Sequence, residues 1–517
     1  MNAPLPEHRD GALEAAAYEL SKRHAVSGCK PVPLPAWAEL QALPEWLERA
    51  REAATHAEPD ATKAAEWFLD NDYQVERAAL RITEDLPPQF YRNLQNRSAA
   101  EDKGLPRVFI LAHGLLQASR LQLSLTAAIQ FVIAYQKETP LTIAELWAFP
   151  TMLRLACLEI LVTAFTRLFP DLPPPFALSH CAVCAGPFDD TEYVARAIAN
   201  LGVIASIQWK DFFEHASLVE SILRRDPGKI YPRMDFETRD SYRQIVEKLA
   251  RGAGQSEWAV AGALLSQPPA SGAGPQHNHI GYWLLGEGRE AFEAALGYRA
   301  PLLDKCGLWL MRHAEALYFT AIAGAGAAAL ILPAFYLLAA GASPALWVIG
   351  IILTLLPAWG LGITLTHWIV TRIVPPRVLP KLDFTEGIPP DCATAVVMPV
   401  LIANPAEIPE LLERLEAHRL TNADPVLQFA LLSDLSDSPE ERMPEDMAVE
   451  QRLVEGVRRL NDRYGQEGIG PFHLLHRPRR FNPSEGCWMG WERKRGKLEQ
   501  FNALLRGGEQ TAFSDIV

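Results

Sequence analysis

From Leu317 to Thr371 the chain has no Lys, Arg, Asp or Glu, and the run is broken near its middle by Gly341-Ala-Ser-Pro344. A hydrocarbon core of roughly 30 Å takes about 20 apolar residues of helix. Residues 317–340 and 346–370 each exceed that length, so the stretch reads as a two-helix transmembrane hairpin. Arg299, Lys305 and Arg312 precede it, Arg372, Arg377 and Lys381 follow it, and the connection is uncharged. The positive-inside rule then places both long portions of the chain on the cytoplasmic side of a membrane. Pro333 and Pro357 fall inside the spans, where neighbouring helices can re-satisfy the freed carbonyls. The small-residue run Ala323–Ala329 predicts close backbone approach to another helix.

The remaining composition describes soluble domains. A length of 517 residues leaves room for about three of them. The net charge of −13 argues against a nucleic-acid partner. The first ten residues contain no apolar core of a signal peptide, so none is expected. The 7 cysteines are sparse and odd in number, which fits reduced thiols. His180-Cys-Ala-Val-Cys184 has the spacing of half a zinc site but no second pair follows it, and His277-Asn-His279 lacks a third ligand and reads as an exposed loop.

Along the chain, residues 1–62 read as a mobile N-terminal region with one helix at Trp37–Ala53. Helical spacing then runs through residues 63–300, giving an all-α cytosolic domain with helices at Pro106–Ile133, Thr142–Leu168, Asp190–Asn200, Trp209–Arg225 and Thr238–Leu249. Thr142 followed by Glu145 is a capping-box pattern. After the hairpin, residues 371–390 form a proline-rich linker. Residues 391–517 change class. Apolar strands at Ala393–Met398, Leu427–Leu432 and Phe472–His476 alternate with helices at Glu407–Leu420, Pro444–Tyr464 and Gly496–Leu505. That alternation implies a parallel sheet covered on both faces. The fold class is therefore an α plus α/β membrane protein.

In an open parallel sheet, ligands bind beyond the carboxyl ends of the strands. Those ends carry Pro399, Asp434 with Asp437, and His476-Arg477-Pro-Arg-Arg480. Between Arg477 and Lys497 there are seven basic residues and two acidic ones, against the overall negative charge. A carboxylate facing guanidinium groups, with Arg493-Lys-Arg-Gly-Lys497 opening a helix, suits a nucleotide diphosphate. No GxxxxGK[ST] or GxGxxG occurs, which leaves P-loop and dinucleotide chemistry unsupported.

Val396–Val400, Leu431–Asp434 and the segment Trp488-Met-Gly-Trp-Glu-Arg-Lys-Arg-Gly-Lys-Leu-Glu-Gln-Phe-Asn502 resemble the glycosyltransferase portion of bacterial cyclic β-1,2-glucan synthases. The likeness continues upstream through Trp67–Asn71, Trp209–Glu214, Asp226-Pro, Tyr231–Phe236 and Pro376–Phe384, covering roughly residues 60–517. It implies an inverting transfer of glucose from UDP-glucose to a growing β-1,2-glucan, on a GT-A-like domain attached to inner-membrane helices. It places Pro399 beside the uridine, Asp434 on the uracil or ribose with Asp437 close behind, Lys497 and Arg495 on the diphosphate, and Asn502 on the helix behind them.

The resemblance also implies a divalent cation, Mg or Mn, held by a D-x-D motif, and a general base. Both belong downstream of Asn502 and are expected beyond Val517, so no metal ligand or catalytic residue is assigned in this chain. Asp515 has no second Asp two residues on and does not substitute for the motif. The chain reads as an N-terminal fragment, inactive alone, whose partners are UDP-glucose, the glucan acceptor, membrane lipid and the remaining C-terminal part of the synthase. The alternative class is a non-catalytic membrane scaffold or UDP-binding partner subunit. A transporter component fits less well, because neither span carries an intramembrane charge.

Overall fold

The computed structural model describes residues 10–23, 26–27, 33–59, 61–97, 104–178, 186–268, 278–374, 376, 378–465, 470–508, 513 and 515–517. The chain divides after Lys381 into two compact units. His180–Cys184 and His277 lie outside the described residues.

The first unit is helical. It begins with α1 (Asp10–Arg23), α2 (Leu43–Thr55) and α3 (Thr62–Asp85). The stretch expected to be mobile thus contributes to the core: Leu13 and Ala17 of α1 are buried, and Trp46 of α2 meets Phe165 edge-on at 5.7 Å. The reason is amphipathic spacing, since Leu43, Trp46, Leu47, Ala50 and Ala54 fall on one face of α2. The helix expected over Pro106–Ile133 is two helices, α4 (Arg107–Ala118) and α5 (Leu125–Gln136). Arg120 and Leu121 break it with positive φ, and the Ser124 side chain accepts the Ala127 amide to restart it.

The centre of the unit is α6 (Ile143–Leu168), which opens with the predicted Thr142/Glu145 capping box. This helix is long and apolar enough to cross a membrane, but 94% of its most apolar window is buried inside the protein. Its apolar residues are therefore protein core. Glu145, at its start, is buried against Arg107 with two N···O distances of 2.6 Å. The next helices are α7 (Asp190–Ser206), α8 (Trp209–Ala216), α9 (Leu218–Leu223) and α10 (Phe236–Ala253). Ser217 separates α8 from α9 by capping the Glu220 amide, so Trp209–Arg225 is not one helix.

Two further apolar helices, α11 (Ala314–Ala339) and α12 (Pro344–Ile373), are only 11% buried over their most apolar windows. They pack antiparallel: Tyr318 meets His367 near one end, and a Cβ on Gly350 would touch Leu337 near the other. Gly341, with φ +61, makes the turn. The small-residue run expected to meet another helix meets α12. A Cβ on Gly362 would stand 2.8 Å from the Gly326 nitrogen and the Ile322 oxygen. The linker after α12 returns to α10, where Asp235 donates its amide to Lys381 O and Lys381 N donates to Thr238 Oγ1, both at 3.0 Å.

The second unit is α/β. Strands β1 (Thr394–Ile402), β2 (Leu427–Leu435) and β3 (Phe472–Arg477) are parallel, with helices α13 (Ile408–Thr421) and α14 (Asp446–Tyr464) as crossovers. A hairpin, β4 (Arg480–Asn482) and β5 (Cys487–Met489), leads to α15 (Arg493–Leu505), and β6 (Asp515–Ile516) pairs antiparallel with β3. The sheet order is β1-β2-β3-β6. One face packs Phe429, Leu431 and Leu474 against Leu415, Leu453 and Val457 of α13 and α14. The other carries Ala430, Leu432 and Leu475 under Phe501 of α15 and Phe513. Cover on this second face is thinner than expected, and Leu401 of β1 stays exposed.

Val517 is held by this sheet. Its amide donates to Leu474 O at 3.0 Å and its carbonyl accepts the Leu474 amide at 3.2 Å, which extends the pairing of β6 with β3 by one residue. Its side chain packs against the core beneath α13 and α14. The alternation of strands and helices predicts only parallel strands, whereas β6 and Val517 run antiparallel to β3. The pairing begins with Asp515 opposite His476, near the carboxyl end of β3, and continues with Ile516 opposite Leu475 along the open edge.

Candidate functional site

The carboxyl ends of the three parallel strands converge on Asp434. Its position follows from register: Asp434 on β2 pairs with Arg477 on β3 and with Leu401 on β1. Parallel strands in register point paired side chains to the same face, so the carboxylate and guanidinium meet. Arg477 Nε and Nη2 donate to Asp434 Oδ1 and Oδ2, both at 2.7 Å. Lys497 of α15 approaches the same Oδ2 at 3.0 Å and donates to Val400 O at 2.5 Å. All three side chains are buried, with Asp434 at 1% exposure and Arg477 and Lys497 at 2%. Burial lowers the Lys497 ammonium below its usual range, and the Asp434 charge opposes that shift.

The segment Gly490–Asn502 is what closes this cluster. A Cβ on Gly490 would lie 2.7 Å from Asp434 Cγ, so only glycine allows the chain to pass. Glu492 and Arg493 take φ of +47 and +45, which turns the backbone carbonyls of Trp491 and Arg493 onto Arg477 Nη1 and Nη2 at 3.1 and 3.0 Å. Gln500 Oε1 accepts a further bond from Arg477 Nη1 at 2.8 Å. A Cβ on Gly496 would stand 2.5 Å from Trp491 O. The arrangement is a two-cation, one-anion cluster that ties three strand ends to one helix.

The structure thus brings together Asp434 and Lys497, with Val400 beside Pro399 completing the contact. Pro399 lies on β1 opposite Leu432. The other residues singled out in the sequence stand apart from Asp434. Asp437 is exposed and meets Arg493 at 2.9 Å. Arg495 is exposed and pairs with Glu499 at 2.9 Å, and Asn502 is exposed on α15.

Arg477 and Arg479 face inward, not into a solvated phosphate turn. Arg479 donates to Ser436 O at 2.6 Å and to Asp446 at the start of α14 at 2.5 Å. Alternation was the available signal: residues 477 and 479 share a side of an extended segment, while Arg480 points out to solvent. Ser433 and His476, also register partners, bond at 2.8 Å behind the cluster.

Among the described residues, Asp437, Glu485 and Cys487 can bring ligand atoms within 4.8 Å of one another. Arg493 already bridges the two carboxylates, at 2.9 and 3.3 Å, so their charge is met by a guanidinium.

In the helical unit, the upstream motifs build a second polar core. Asp226 accepts amides from Gly228, Ile230, Tyr231 and Ile280, and its Oδ2 lies 2.7 Å from His279 Nδ1. His279 is therefore buried, contrary to the expected exposed loop; Tyr242 closes over it at 3.2 Å. Glu220 gathers Tyr231, Arg239, Arg243 and Arg224.

Fold and site together define a mostly helical protein with two long apolar helices and an open parallel α/β unit. The charged residues of that unit gather where such sheets take ligands. No protein-family profile matches the chain. The chain is 31% identical to the cyclic beta-(1,2)-glucan synthase NdvB of Rhizobium meliloti (strain 1021), over 547 aligned positions covering 90% of this chain and 19% of that protein. The chain is a relative of this glucan synthase, as its motifs indicated, and spans about a fifth of the length of the curated protein it matches.

Proposed function

We propose that this chain carries the donor-binding part of a membrane-bound, inverting glucosyltransferase of the cyclic β-1,2-glucan synthase type, taking UDP-glucose as donor. The observation that supports this most directly is the cluster of Asp434, Arg477 and Lys497 at the strand ends, built by the segment that carries the resemblance. In this reading the α/β unit is the first part of a GT-A-like domain. Asp434 orients the uracil or ribose, and the excess cationic charge around it favours the diphosphate. Pro399, Asp437, Arg495 and Asn502 border the donor. A divalent cation, Mg or Mn, held by a D-x-D motif would neutralise the departing UDP.

The helices α11 and α12 form the membrane hairpin, because their outward faces are apolar and exposed, Leu332 at 78% and Leu356 at 81%. With basic residues on both flanks of the hairpin, both units lie on the cytoplasmic side of the inner membrane. The acceptor is a growing β-1,2-glucan, and the chain, which covers 19% of its relative, is inactive alone.

A second reading, a non-catalytic membrane scaffold, draws on the closure of the cluster: Asp434 is saturated by Arg477 and Lys497 and has almost no exposure. Calorimetry of the purified chain with UDP separates the two. Saturable binding that disappears in Asp434→Ala supports the donor site; its absence in the folded wild-type chain favours the scaffold. Glucan synthesis by the chain alone would overturn the inactivity.

A further inference from the structure

The helical unit contains a cleft of about 800 Å³ that the donor site does not use. This is within the roughly 300–1,000 Å³ typical of small-molecule sites. Its walls come from four places in the sequence. Phe90 and Trp147 supply aromatic surface on one side, and Tyr298, which follows α10 and precedes the apolar hairpin, supplies it on another. Between them, α10 presents Asp240, Gln244 and Glu247, which fall one helical turn apart on a single face.

The site is rigid on its aromatic side. Trp147 is backed by Phe213, stacked at 4.8 Å, and by Phe236, edge-on at 6.1 Å. Tyr298 is fixed by its own amide, which donates to Glu293 O at 2.9 Å, and by the adjacent Arg299 amide, which donates to Gly252 O at 3.0 Å. The polar side carries both signs, Asp240 and Glu247 beside Lys248, Arg251 and Arg299. Arg243 stands 3.1 Å from Asp240 and Arg251 2.6 Å from Glu247, so the lining carboxylates are charge-matched. Gln244 Nε2 donates to Asp240 Oδ2 at 2.7 Å, which leaves its carbonyl available as an acceptor. Among the described residues no donor meets Glu247 Oε2, and burial raises this carboxyl above its usual range, with Arg251 opposing.

Such a lining does not suit a polyanion, since Asp240 and Glu247 share it with the cations and Arg251 is already paired with Glu247. Nor does it suit a purely apolar ligand, which would strand the carboxylates and the amide. It suits a neutral, polyhydroxylated ligand with apolar faces. Flat aromatic rings take the C–H faces of a pyranose, while carboxylate and amide oxygens accept hydroxyl protons in charge-assisted bonds.

We propose that this cleft binds a segment of neutral glucan, making the helical unit a holder of the acceptor chain. The proposal rests on the glucosyltransferase reading for the identity of the sugar, while the cleft and its chemistry stand independently of Asp434.

The test uses the full chain purified in detergent. Linear β-1,2-gluco-oligosaccharides are titrated, with binding read by tryptophan fluorescence and saturation-transfer NMR, and UDP is titrated separately into the same preparation. The expected result is saturable oligosaccharide binding that weakens about tenfold in Gln244→Ala and in Glu247→Ala, corresponding to one lost hydrogen bond of about 1.4 kcal/mol. Asp434→Ala leaves the oligosaccharide affinity unchanged. Thermal unfolding of each variant identifies the folded ones, and Gln244 is solvent-exposed, so its replacement does not threaten the core. Absence of saturable oligosaccharide binding, or binding that the cleft variants do not weaken, overturns the proposal whatever UDP does. Loss of UDP binding alone strikes the donor-site reading and not the cleft.

Discussion

Asp434 and Arg477 are register partners on adjacent parallel strands, and their side chains close a two-point ion pair with both N···O distances at 2.7 Å. Two more Arg477 nitrogen contacts, to the carbonyls of Trp491 and Arg493, make this pair the anchor of the loop that precedes α15.

Removing the guanidinium leaves a buried carboxylate with only Lys497 beside it. Arg477→Met is therefore expected to cost about 3–5 kcal/mol, the usual loss when one partner of a buried pair is deleted. Lys497→Met costs less, because Asp434 keeps its two-point partner. Thermal unfolding of the detergent-solubilised chain orders the two variants, and limited proteolysis near Trp491 reports release of the loop.

Gly490 sits where a methyl group would meet the Asp434 carboxyl carbon at 2.7 Å. The three nearest atoms all belong to the Asp434 side chain, which Arg477 pins, so nothing soft is left to yield. Gly490→Ala is expected to destabilise by about 1–3 kcal/mol, the range of overpacked cores, and to weaken UDP binding together with stability. Gly486, whose added Cβ meets nothing but whose φ is +66, serves as a control that costs only the smaller left-handed penalty of about 1 kcal/mol.

Glu257 caps the Ile143 amide at 2.7 Å from a buried position. Burial pushes its carboxyl up to about 7; the Ile143 amide opposes this, while the charges of Glu247 and Glu145 add to it. The folded chain thus holds a proton that the unfolded chain releases above pH 4.5, and stability falls as pH rises from 4.5 through about 7. The whole effect is on the order of 3 kcal/mol. Glu257→Gln keeps the acceptor and removes the ionisation, so its unfolding temperature, measured against wild type between pH 5 and pH 8, is expected to show the flatter profile.

Asp226 behaves in the opposite sense. Burial disfavours its charge, but the His279 bond and the amides of Tyr231 and Ile280 outweigh that and bring it down to about 2. Its contribution, about 2 kcal/mol, is complete above pH 3.8 and is lost as pH falls toward 2. Acid unfolding of Asp226→Asn is expected to lack that component and to start from a less stable protein at pH 7.

Gly362 allows α12 to lie against Gly326 and Ile322 of α11. Gly362→Leu is expected to separate the two helices and to break the Tyr318–His367 contact, which stands at 2.5 Å in the paired form. The loss is measurable as faster thermal unfolding in micelles and a shifted tyrosine absorbance.

The sequence determined much of this by itself. Uncharged length marked α11 and α12, Thr142 and Glu145 marked the start of α6, and alternating strands and helices marked the parallel sheet. These are local signals, set by backbone hydrogen bonding and side-chain periodicity within a few turns of chain. Only the tertiary structure decided that α6, as apolar as a membrane span, is a protein core, because burial depends on what surrounds a helix and not on its composition. It also decided that Val517 pairs with Leu474 against the direction of the other strands, a contact that no spacing along the chain announces. The state of the charged residues was settled in the same way. Arg477, Arg479 and Lys497 read along the chain as a basic run suited to a diphosphate, and in the fold each faces inward to a strand-end or helix-start carboxylate. The partners lie 43, 33 and 63 positions away along the chain, as their numbers show. Strand register and helix packing bring them within 3.0 Å, and a charge distribution written along the chain cannot express that closure.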